Sequence, residues 1–200
     1  MAPRCQLYLS APASFPGETG LIEAALATSA SPSLLLVGEG DAKRVGAIIT
    51  AAHRQNAIVL TDNRQMLTAL RGFDGLHLGG DDTAPKAARE AVGADGVLGA
   101  DCPLSRHRAM ELAEAGADYV AFGRAGESVD DLADMVSWWS DIIEIPCAAW
   151  LRADAPEESW RKLAGCGADF IVPGPEIWDE AGAVRDRLAR IAGWCGIEGA

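Results

Sequence analysis

One short phrase recurs along the chain and restricts the folds open to it: a glycine, one further residue and an aspartate, followed by a run with few charges. It appears as GFDGLHLG from Gly72, GADGVLGA from Gly93, GADYVAFG from Gly116 and GADFIVPG from Gly167. A helix-like stretch precedes each glycine, which suits the left-handed backbone position at the end of a helix. The phrases recur about every twenty residues, with about twice that interval before the last one. Such an interval fits one helix and one strand, so the phrase predicts a chain of alternating helices and strands.

Eight strand candidates follow from these anchors. They lie near residues 6–9, 34–37, 57–60, 75–78, 96–99, 119–123, 145–150 and 170–172. Amphipathic stretches separate them, such as AKRVGAIITAAHRQ, SRHRAMELAEA, VDDLADMVSWWS and GAVRDRLARIAGW. Apolar strands that alternate with such helices indicate a parallel sheet, and eight units close a barrel. We therefore predict a single (β/α)8 TIM barrel domain over residues 1–200. The alternative, an open doubly wound sheet, lacks a Gly-x-Gly-x-x-Gly after any strand.

Composition limits the partners that the chain can have. The formal net charge is −12, whereas binding to nucleic acid needs clustered Lys and Arg, so we expect no nucleic-acid partner. The opening MAPRCQLYLSAP has no signal-like apolar region, and no apolar run reaches the length of a membrane span. We therefore expect a cytoplasmic protein with no membrane contact. The five cysteines form no Cys-x-x-Cys pair, which favours buried free thiols over a disulfide or a zinc site.

Two acidic segments end consecutive predicted strands, where a barrel builds its site. They are TDNR at 61–64 and GGDD at 79–82. Mg²⁺ takes one or two carboxylates and completes its shell with water and phosphate. The side-chain oxygens of Asp62, Asn63, Asp81 or Asp82 therefore form a candidate magnesium site. The alternative is that Asp62 and Asp82 cap the helices that follow, because Asp is a favoured N-cap.

Histidine and cysteine offer few candidates for chemistry. His53 and His107 lie in helix stretches beside arginine and are expected to face solvent. His77 lies in the fourth strand and can point into the barrel mouth, although a hydrogen-bonded core histidine is the more common outcome. Cys102 lies in the fifth loop, near the predicted mouth, but a reactive thiol would need a basic neighbour.

Three stretches resemble thiamine phosphate synthase: DNRQMLTALRGFDGLHLGGDD from Asp62, GADCPLSRHRAMELAEAGADYVAFG from Gly99, and EIPCAAW followed by GADFIV. The resemblance implies a (β/α)8 barrel of thiamine biosynthesis. Such a transferase joins hydroxymethylpyrimidine diphosphate to thiazole phosphate, releases pyrophosphate and uses Mg²⁺, so its partners are small phosphorylated thiamine precursors. In this family an Asn-Asp pair and the last Asp of Gly-Gln-x-Asp hold the metal and the pyrophosphate. Those metal positions fall here on Asn63 and Asp82, with Asp62 beside them.

The resemblance also implies a substrate-binding set, and no catalytic residue is assigned. The set is Asp62, His77, Arg124, Arg152 and Gly174. The sequence departs from the family in the phosphate-binding loops. The sixth loop reads GRAGES in place of Thr-x-Thr-Lys, which leaves Arg124 as its cation, and the fifth begins Gly-Ala-Asp in place of Gly-Val-Ser.

The departures continue after the last two strands. The family has Gly-Gly after the seventh strand and Val-Ser at the next helix start, where this chain has Leu151-Arg152 and Gly174-Pro175. Proline removes an N–H donor. We expect the side chain of Trp150 or Trp178 to fill part of the phosphate pocket.

These losses leave the activity open. Losing one preorganised donor to a developing oxyanion typically costs about 10² to 10³ in rate. One alternative is a diverged, non-catalytic barrel that binds a thiamine precursor or a partner protein. Another is a relative of thiazole tautomerases with His77 or Cys102 as the acid–base group. The adjacent Trp138 and Trp139 face different directions on one helix, and one of them could lie at the contact of a homo-oligomer.

Overall fold

The computed structural model describes residues 5–29, 31–80 and 84–196, and strands and helices alternate along them. The strands are β1 (Gln6–Leu7), β2 (Leu9–Pro12), β3 (Ser33–Val37), β4 (Ile58–Thr61), β5 (Gly75–Leu78), β6 (Val97–Asp101), β7 (Tyr119–Phe122), β8 (Cys147–Leu151) and β9 (Phe170–Pro173). The helices are α1 (Thr19–Leu26), α2 (Ala42–Arg54), α3 (Arg64–Ala69), α4 (Pro85–Val92), α5 (Arg106–Glu114), α6 (Val129–Ile142), α7 (Glu157–Gly165) and α8 (Val184–Trp194). Two short 3-10 turns, Pro175–Trp178 and Ala181–Ala183, precede α8. Each predicted strand is present within a few residues of its expected position.

The strands form one parallel sheet that closes on itself. Their order is β1-β9-β8-β7-β6-β5-β4-β3-β2, and β1 and β2 are two halves of a single first strand interrupted at Tyr8. The first half pairs with β9 and the second half with β3. The N–H of Tyr8 donates to the carbonyl oxygen of Ile171 at 2.9 Å, which continues the pairing across the break. The nine strands thus occupy eight positions around a ring, and the predicted (β/α)8 barrel is confirmed.

The recurring Gly-x-Asp phrase ties neighbouring strands together where they begin. Its four glycines have left-handed backbones, with φ values of 103°, 82°, 96° and 100° in chain order, as expected of helix-terminating glycines. Three of the aspartates accept an N–H from the preceding strand at 2.7 to 2.8 Å: Asp74 from Val59, Asp118 from Leu98, and Asp169 from Cys147. Each of these carboxylates therefore pins the start of its own strand to the strand before it.

Apolar side chains fill both faces of the sheet. The cluster inside the ring consists of Tyr8, Leu35, Leu60, Tyr119, Ala121, Ala148, Trp150 and Val172. A larger cluster between the sheet and the helices includes Leu34, Val59 and Ile171 from the strands. Because both faces are buried, the strands read as continuous apolar runs in the sequence.

Several smaller predictions are tested by the same structure. All five cysteines are free thiols, and three of them are buried. The side chains of His53 and His107 are exposed on their helices, as predicted. Within the described residues, none of the helices has both the length and the apolar character needed to cross a membrane.

Candidate active site

Asp101 ends strand β6 and lies at the centre of the polar groups in the barrel mouth. Its side chain is buried. Trp150 Nε1 donates to its Oδ1 at 3.0 Å, and Arg124 Nη1 donates to its Oδ2 at 3.0 Å. His77 Nε2 lies 2.9 Å from Oδ1 but is not aligned as a hydrogen bond. Burying a carboxylate is costly unless it has such partners, so Asp101 and its three neighbours form one coupled unit.

A line of polar groups continues from Asp101 down the inside of the barrel. His77 is fully buried, and its Nδ1 lies 2.7 Å from the hydroxyl oxygen of Tyr119. That oxygen is 2.8 Å from the hydroxyl oxygen of Tyr8. Burial raises the pKa of both tyrosines above the ordinary value of 10.0, so both hydroxyls stay neutral near pH 7. His77 is thus a hydrogen-bonded core histidine, the more common of the two expected outcomes. Its contact with Asp101 links it to the barrel mouth.

Arg124 extends across the mouth from the loop after β7. The residue before it, Gly123, has φ +93°, and a Cβ there would lie 2.7 Å from the carbonyl oxygen of Trp150, so the turn requires glycine. The Arg124 guanidinium lies 4.6 Å from the centroid of the Trp150 ring, a cation–π contact. Its Nη2 is 3.5 Å from Asp62 Oδ2. Arg124 is therefore held between two carboxylates, those of Asp62 and Asp101.

Two clefts open on either side of Arg124. The first has a volume of about 400 Å³, and its walls include Asp62, Gly79 and Asp101. The second has a volume of about 690 Å³ and lies between the loops that follow β7, β8 and β9. Both clefts open at the carboxyl ends of the strands, where barrel enzymes bind their ligands.

The second cleft contains an arginine that is already paired. Arg152 follows β8, and its Nε and Nη2 each donate to a carboxylate oxygen of Asp154 at 2.9 Å. Asp154 raises the pKa of Arg152, with a further contribution from Glu176. The Arg152 side chain is 71% exposed, so water screens this pair strongly. On the opposite loop, Glu176 accepts the N–H of Ala153 at 2.8 Å.

Three carboxylates of the described residues line the first cleft, those of Asp62, Asp101 and Glu127, and the first two both contact Arg124. Asp62 Oδ1 also accepts the N–H of Gly38 at 2.7 Å, which fixes its orientation. Among the described residues, no group of three or more His, Cys, Asp or Glu side chains is placed to hold a metal ion. Mg²⁺ needs only one or two carboxylates when phosphate and water complete its shell. The donor set therefore fits a magnesium ion shared with a phosphate ligand better than a site made of protein alone.

Cys102 follows Asp101 and also lines the first cleft. Burial raises the pKa of its thiol from 9.0 to about 12, and Arg108 lowers it only in part. The thiolate is the reactive form of cysteine. Cys102 is therefore a neutral thiol near pH 7.

Comparison with known proteins identifies the family. The family model described as thiamine monophosphate synthase matches residues 40–173, more than half of the chain. The chain belongs to the thiamine monophosphate synthase family. The thiamine-phosphate synthase of Erythrobacter litoralis is 40% identical over 72% of this chain and 70% of its own length. That of Hyphomonas neptunium is 32% identical over 92% of each chain. The structure of thiamine phosphate pyrophosphorylase from Pyrococcus furiosus shares the fold, with a TM-score of 0.76, 19% identity, and coverage of 97% of this chain and 96% of its own.

In this thiamine monophosphate synthase family member, most of the predicted substrate-binding residues lie around the two clefts. Asp62 and Arg124 meet between the clefts, and Arg152 and Gly174 line the second one. His77 lies beneath the clefts with a fully buried ring, and its role in binding substrate stays a prediction.

Asn63 lies at the start of helix α3. Its Oδ1 accepts the N–H groups of Gln65 and Met66 at 2.9 and 3.0 Å, so it caps helix α3. The structure therefore gives Asn63 a capping role, and its metal-binding role stays a prediction. The alternative prediction, that Asp62 caps the following helix, was wrong by one residue, because Asn63 is the cap. The predicted metal ligand Asp82 lies outside the described residues.

Two residues of the mouth were missed by the sequence reasoning, Asp101 and Glu176. Both follow predicted strands: Asp101 stands in the fifth loop where the family has serine, and Glu176 comes two residues after Gly174. Trp150 lines the second cleft as predicted. Trp178 instead packs 5.1 Å from the Phe15 ring, and its Nε1 donates to the backbone of Ser10, so it fills space behind the last loop.

Proposed function

We propose that the protein is a Mg²⁺-dependent thiamine-phosphate synthase that joins hydroxymethylpyrimidine diphosphate to thiazole phosphate. The observation that carries the proposal is Arg124, held between Asp62 and Asp101 at the carboxyl ends of the strands, in a chain of this family. A guanidinium at this place can contact a phosphate, and neighbouring carboxylates can ligate a Mg²⁺ ion that the phosphate shares. We also propose, as the sequence suggested, that the enzyme acts in the cytoplasm.

The two clefts suit the two substrates. The pyrimidine diphosphate occupies the 400 Å³ cleft beside Asp62, and the thiazole phosphate occupies the 690 Å³ cleft near Arg152 and Gly174. Arg124 lies between them and can contact the pyrophosphate at the point where it separates from the pyrimidine. In a dissociative reaction the protein contributes mainly by positioning the substrates and stabilising charge. The placement of Arg124 between the two clefts serves both purposes.

The carboxylates have a role of their own in this proposal. Asp62 and Asp101, together with Asp82 from the family pattern, would hold Mg²⁺, which when bound neutralises the charge of the departing pyrophosphate. Asp62 and Asp101 also orient Arg124 through contacts of 3.5 and 3.0 Å. The indole of Trp150 supports the guanidinium from one face. His77 acts as a positioning residue, since it contacts Asp101 from inside the barrel.

Incubation of the protein with both substrates and Mg²⁺ tests the proposal. We expect thiamine phosphate and one equivalent of pyrophosphate, both abolished by EDTA and restored by added Mg²⁺. A matched control is Asp141→Asn, an exposed site on α6 that leaves the mouth intact. The absence of product at high enzyme concentration, with a folded protein, would refute the synthase activity.

A second function is favoured by the pairing of both predicted phosphate-binding arginines. Arg124 contacts two carboxylates and Arg152 contacts Asp154, so part of their charge is already balanced. A non-catalytic barrel that binds a thiamine precursor would tolerate this. Thermal-shift measurements with thiazole phosphate, pyrimidine phosphates and thiamine phosphate distinguish the cases, since a ligand that binds the native state raises the melting temperature even without turnover.

The two residues considered as acid–base groups for the tautomerase alternative, His77 and Cys102, do not support it. His77 is fully buried, and the pKa of the Cys102 thiol is raised to about 12. An acid–base group should titrate near the working pH and reach the substrate. Neither side chain meets both conditions.

A further inference from the structure

The loop after β8 presents a backbone N–H that is bound by a carboxylate from the next loop. Glu176, in the 3-10 turn after β9, accepts the N–H of Ala153 through Oε1 at 2.8 Å. The two residues are 23 positions apart, so this contact joins two different loops of the mouth. Glu176 is half-buried and lines the 690 Å³ cleft. The carboxylate is therefore part of the cleft wall and not a solvated surface group.

The same carboxylate lies directly over Gly174. A Cβ added to Gly174 would come within 2.4 and 2.5 Å of the two oxygens of Glu176. The glycine has an ordinary backbone, with φ −58° and ψ 157°, so a side chain here would be limited only by space, and a Cβ would displace the Glu176 carboxylate. Gly174 is buried, and the space beside its Cα forms a small cradle that the Glu176 carboxylate fills.

This position is suited to an anion. It lies between the loops after the seventh and eighth barrel strands, where barrel enzymes frequently bind phosphate. The N–H of Ala153 donates into it. The Arg152 guanidinium is close enough for Glu176 to contribute to the rise in its pKa. A carboxylate and a phosphate both accept hydrogen bonds from such donors.

We infer that Glu176 is a specificity-determining residue of the second cleft, because its carboxylate occupies the anion position that a substrate phosphate must take. The inference rests on the proposed function, since it concerns the phosphate of the thiazole substrate. A phosphate enters only after the Glu176 side chain turns away, because two anions cannot share one N–H donor and one cradle. Glu176 therefore acts as an internal competitor that lowers phosphate affinity. It does not compete with an uncharged ligand that binds elsewhere in the cleft.

Two substitutions separate the charge of Glu176 from its shape. Glu176→Gln keeps the size and can still accept the Ala153 N–H, but it does so as a weaker, neutral acceptor. Glu176→Ala removes the competitor altogether. A hydrogen bond to a charged group contributes about 1 kcal/mol more than a neutral one, so we expect phosphate to bind about fivefold more tightly to the Gln variant. The Ala variant should bind it at least as tightly.

Titration calorimetry with three probes tests the inference: inorganic phosphate, thiazole phosphate and the unphosphorylated thiazole alcohol. The control is Glu158→Gln, which makes the same charge change at an exposed position in α7. The expected result is tighter binding of both phosphates by the two Glu176 variants only, with the affinity for the alcohol unchanged. Melting temperatures verify that each variant is folded, and either Glu176 variant alone suffices for the test.

The inference is overturned if neither Glu176 variant binds phosphate more tightly than wild type, or if Glu158→Gln gives the same gain. It is also overturned if the alcohol gains as much affinity as thiazole phosphate. These outcomes are independent of turnover. A chain that makes no thiamine phosphate but gains phosphate affinity on Glu176→Gln would refute the synthase and leave the inference standing. An active synthase whose phosphate affinity is the same with and without the Glu176 carboxylate would support the synthase activity and overturn the inference.

Discussion

Replacing Asp101 should weaken the fold in two distinguishable steps. Asp101→Asn keeps the size of the side chain and one oxygen that can accept the hydrogen bond of Trp150. It loses the charged hydrogen bond from Arg124, which spans 3.0 Å. Hydrogen bonds to charged groups contribute about 1.5 to 3 kcal/mol. Arg124 is 31% exposed and keeps Asp62 as a partner, so screening places the expected loss at the lower end, about 1.5 to 2 kcal/mol.

Asp101→Leu removes the remaining acceptor as well. The indole N–H of Trp150 is then buried without a partner, which costs about 1 to 3 kcal/mol more. Replacing a buried ion pair by apolar groups is well tolerated only when all partners are replaced together, and here Arg124 and Trp150 remain. The expected total is about 2.5 to 5 kcal/mol. In a chain of this size 1 kcal/mol corresponds to about 2 to 4 °C, so the melting temperature falls by about 3 to 8 °C for Asn and about 5 to 20 °C for Leu.

Thermal unfolding followed by circular dichroism measures both variants beside Asp141→Asn. This control changes an exposed carboxylate of α6 and should alter stability by less than about 0.5 kcal/mol. The decisive result is the ranking, with Leu below Asn and Asn below wild type. If all three proteins melted at the same temperature, the assignment of Asp101 as the anchor of the mouth would be wrong.

Three further predictions concern the site, the barrel and pH. Arg124→Met should reduce the rate of pyrophosphate release by about 10² to 10³. It also removes the hydrogen bond to Asp101, so the melting temperature should fall by at least about 3 to 8 °C, as for Asp101→Asn. An unchanged rate would remove Arg124 from the mechanism. Gly75→Ala would place a Cβ 1.9 Å from the carbonyl oxygen of Val97, whereas a Cβ at Gly46 in helix α2 meets nothing within 4 Å. Urea titration should therefore show that Gly75→Ala lowers the free energy of unfolding by about 3 kcal/mol. Gly46→Ala should raise it by about 0.5 to 1 kcal/mol. Burial raises the pKa of the Cys147 thiol from 9.0 to about 12, so its contribution to stability is present below pH 9 and is lost as the pH rises towards 12. Wild type should therefore lose more stability between pH 8 and pH 10.5 than Cys147→Ala, and equal losses would contradict this reasoning.

The alternation of helices and strands could be predicted because its signals are local. The Gly-x-Asp phrase marks a helix end, a turn and a strand start within a few residues, and each part acts on its own neighbours. The apolar strands follow from burial on both faces of the sheet. Even the barrel closure followed from counting such units. Only the break of the first strand at Tyr8 had no sequence signal.

The polar network of the mouth could not be predicted in the same way, because its members come from distant parts of the chain. Tyr8 and Tyr119 are 111 positions apart, and Asp101 and Trp150 are 49 apart. A strand-end position shows that a side chain can reach the mouth, but not which partner it meets there. Asn63 illustrates the limit: Asp62 and Asn63 are adjacent polar residues, yet one faces Arg124 and the other caps helix α3.

The Gly-x-Asp pins have a consequence for how such a barrel can change. They join three pairs of neighbouring strands at the ends where the strands begin, whereas the clefts lie where the strands end. The contacts that fix the strands and the residues of the candidate site thus lie at opposite ends of the barrel. A loop at the mouth can exchange a lysine for an arginine, or admit a glutamate over a phosphate cradle, without loosening a single pin. Substitutions in the exposed loops of the mouth are therefore largely uncoupled from these contacts, whereas a change at the buried Asp101 affects both binding and stability.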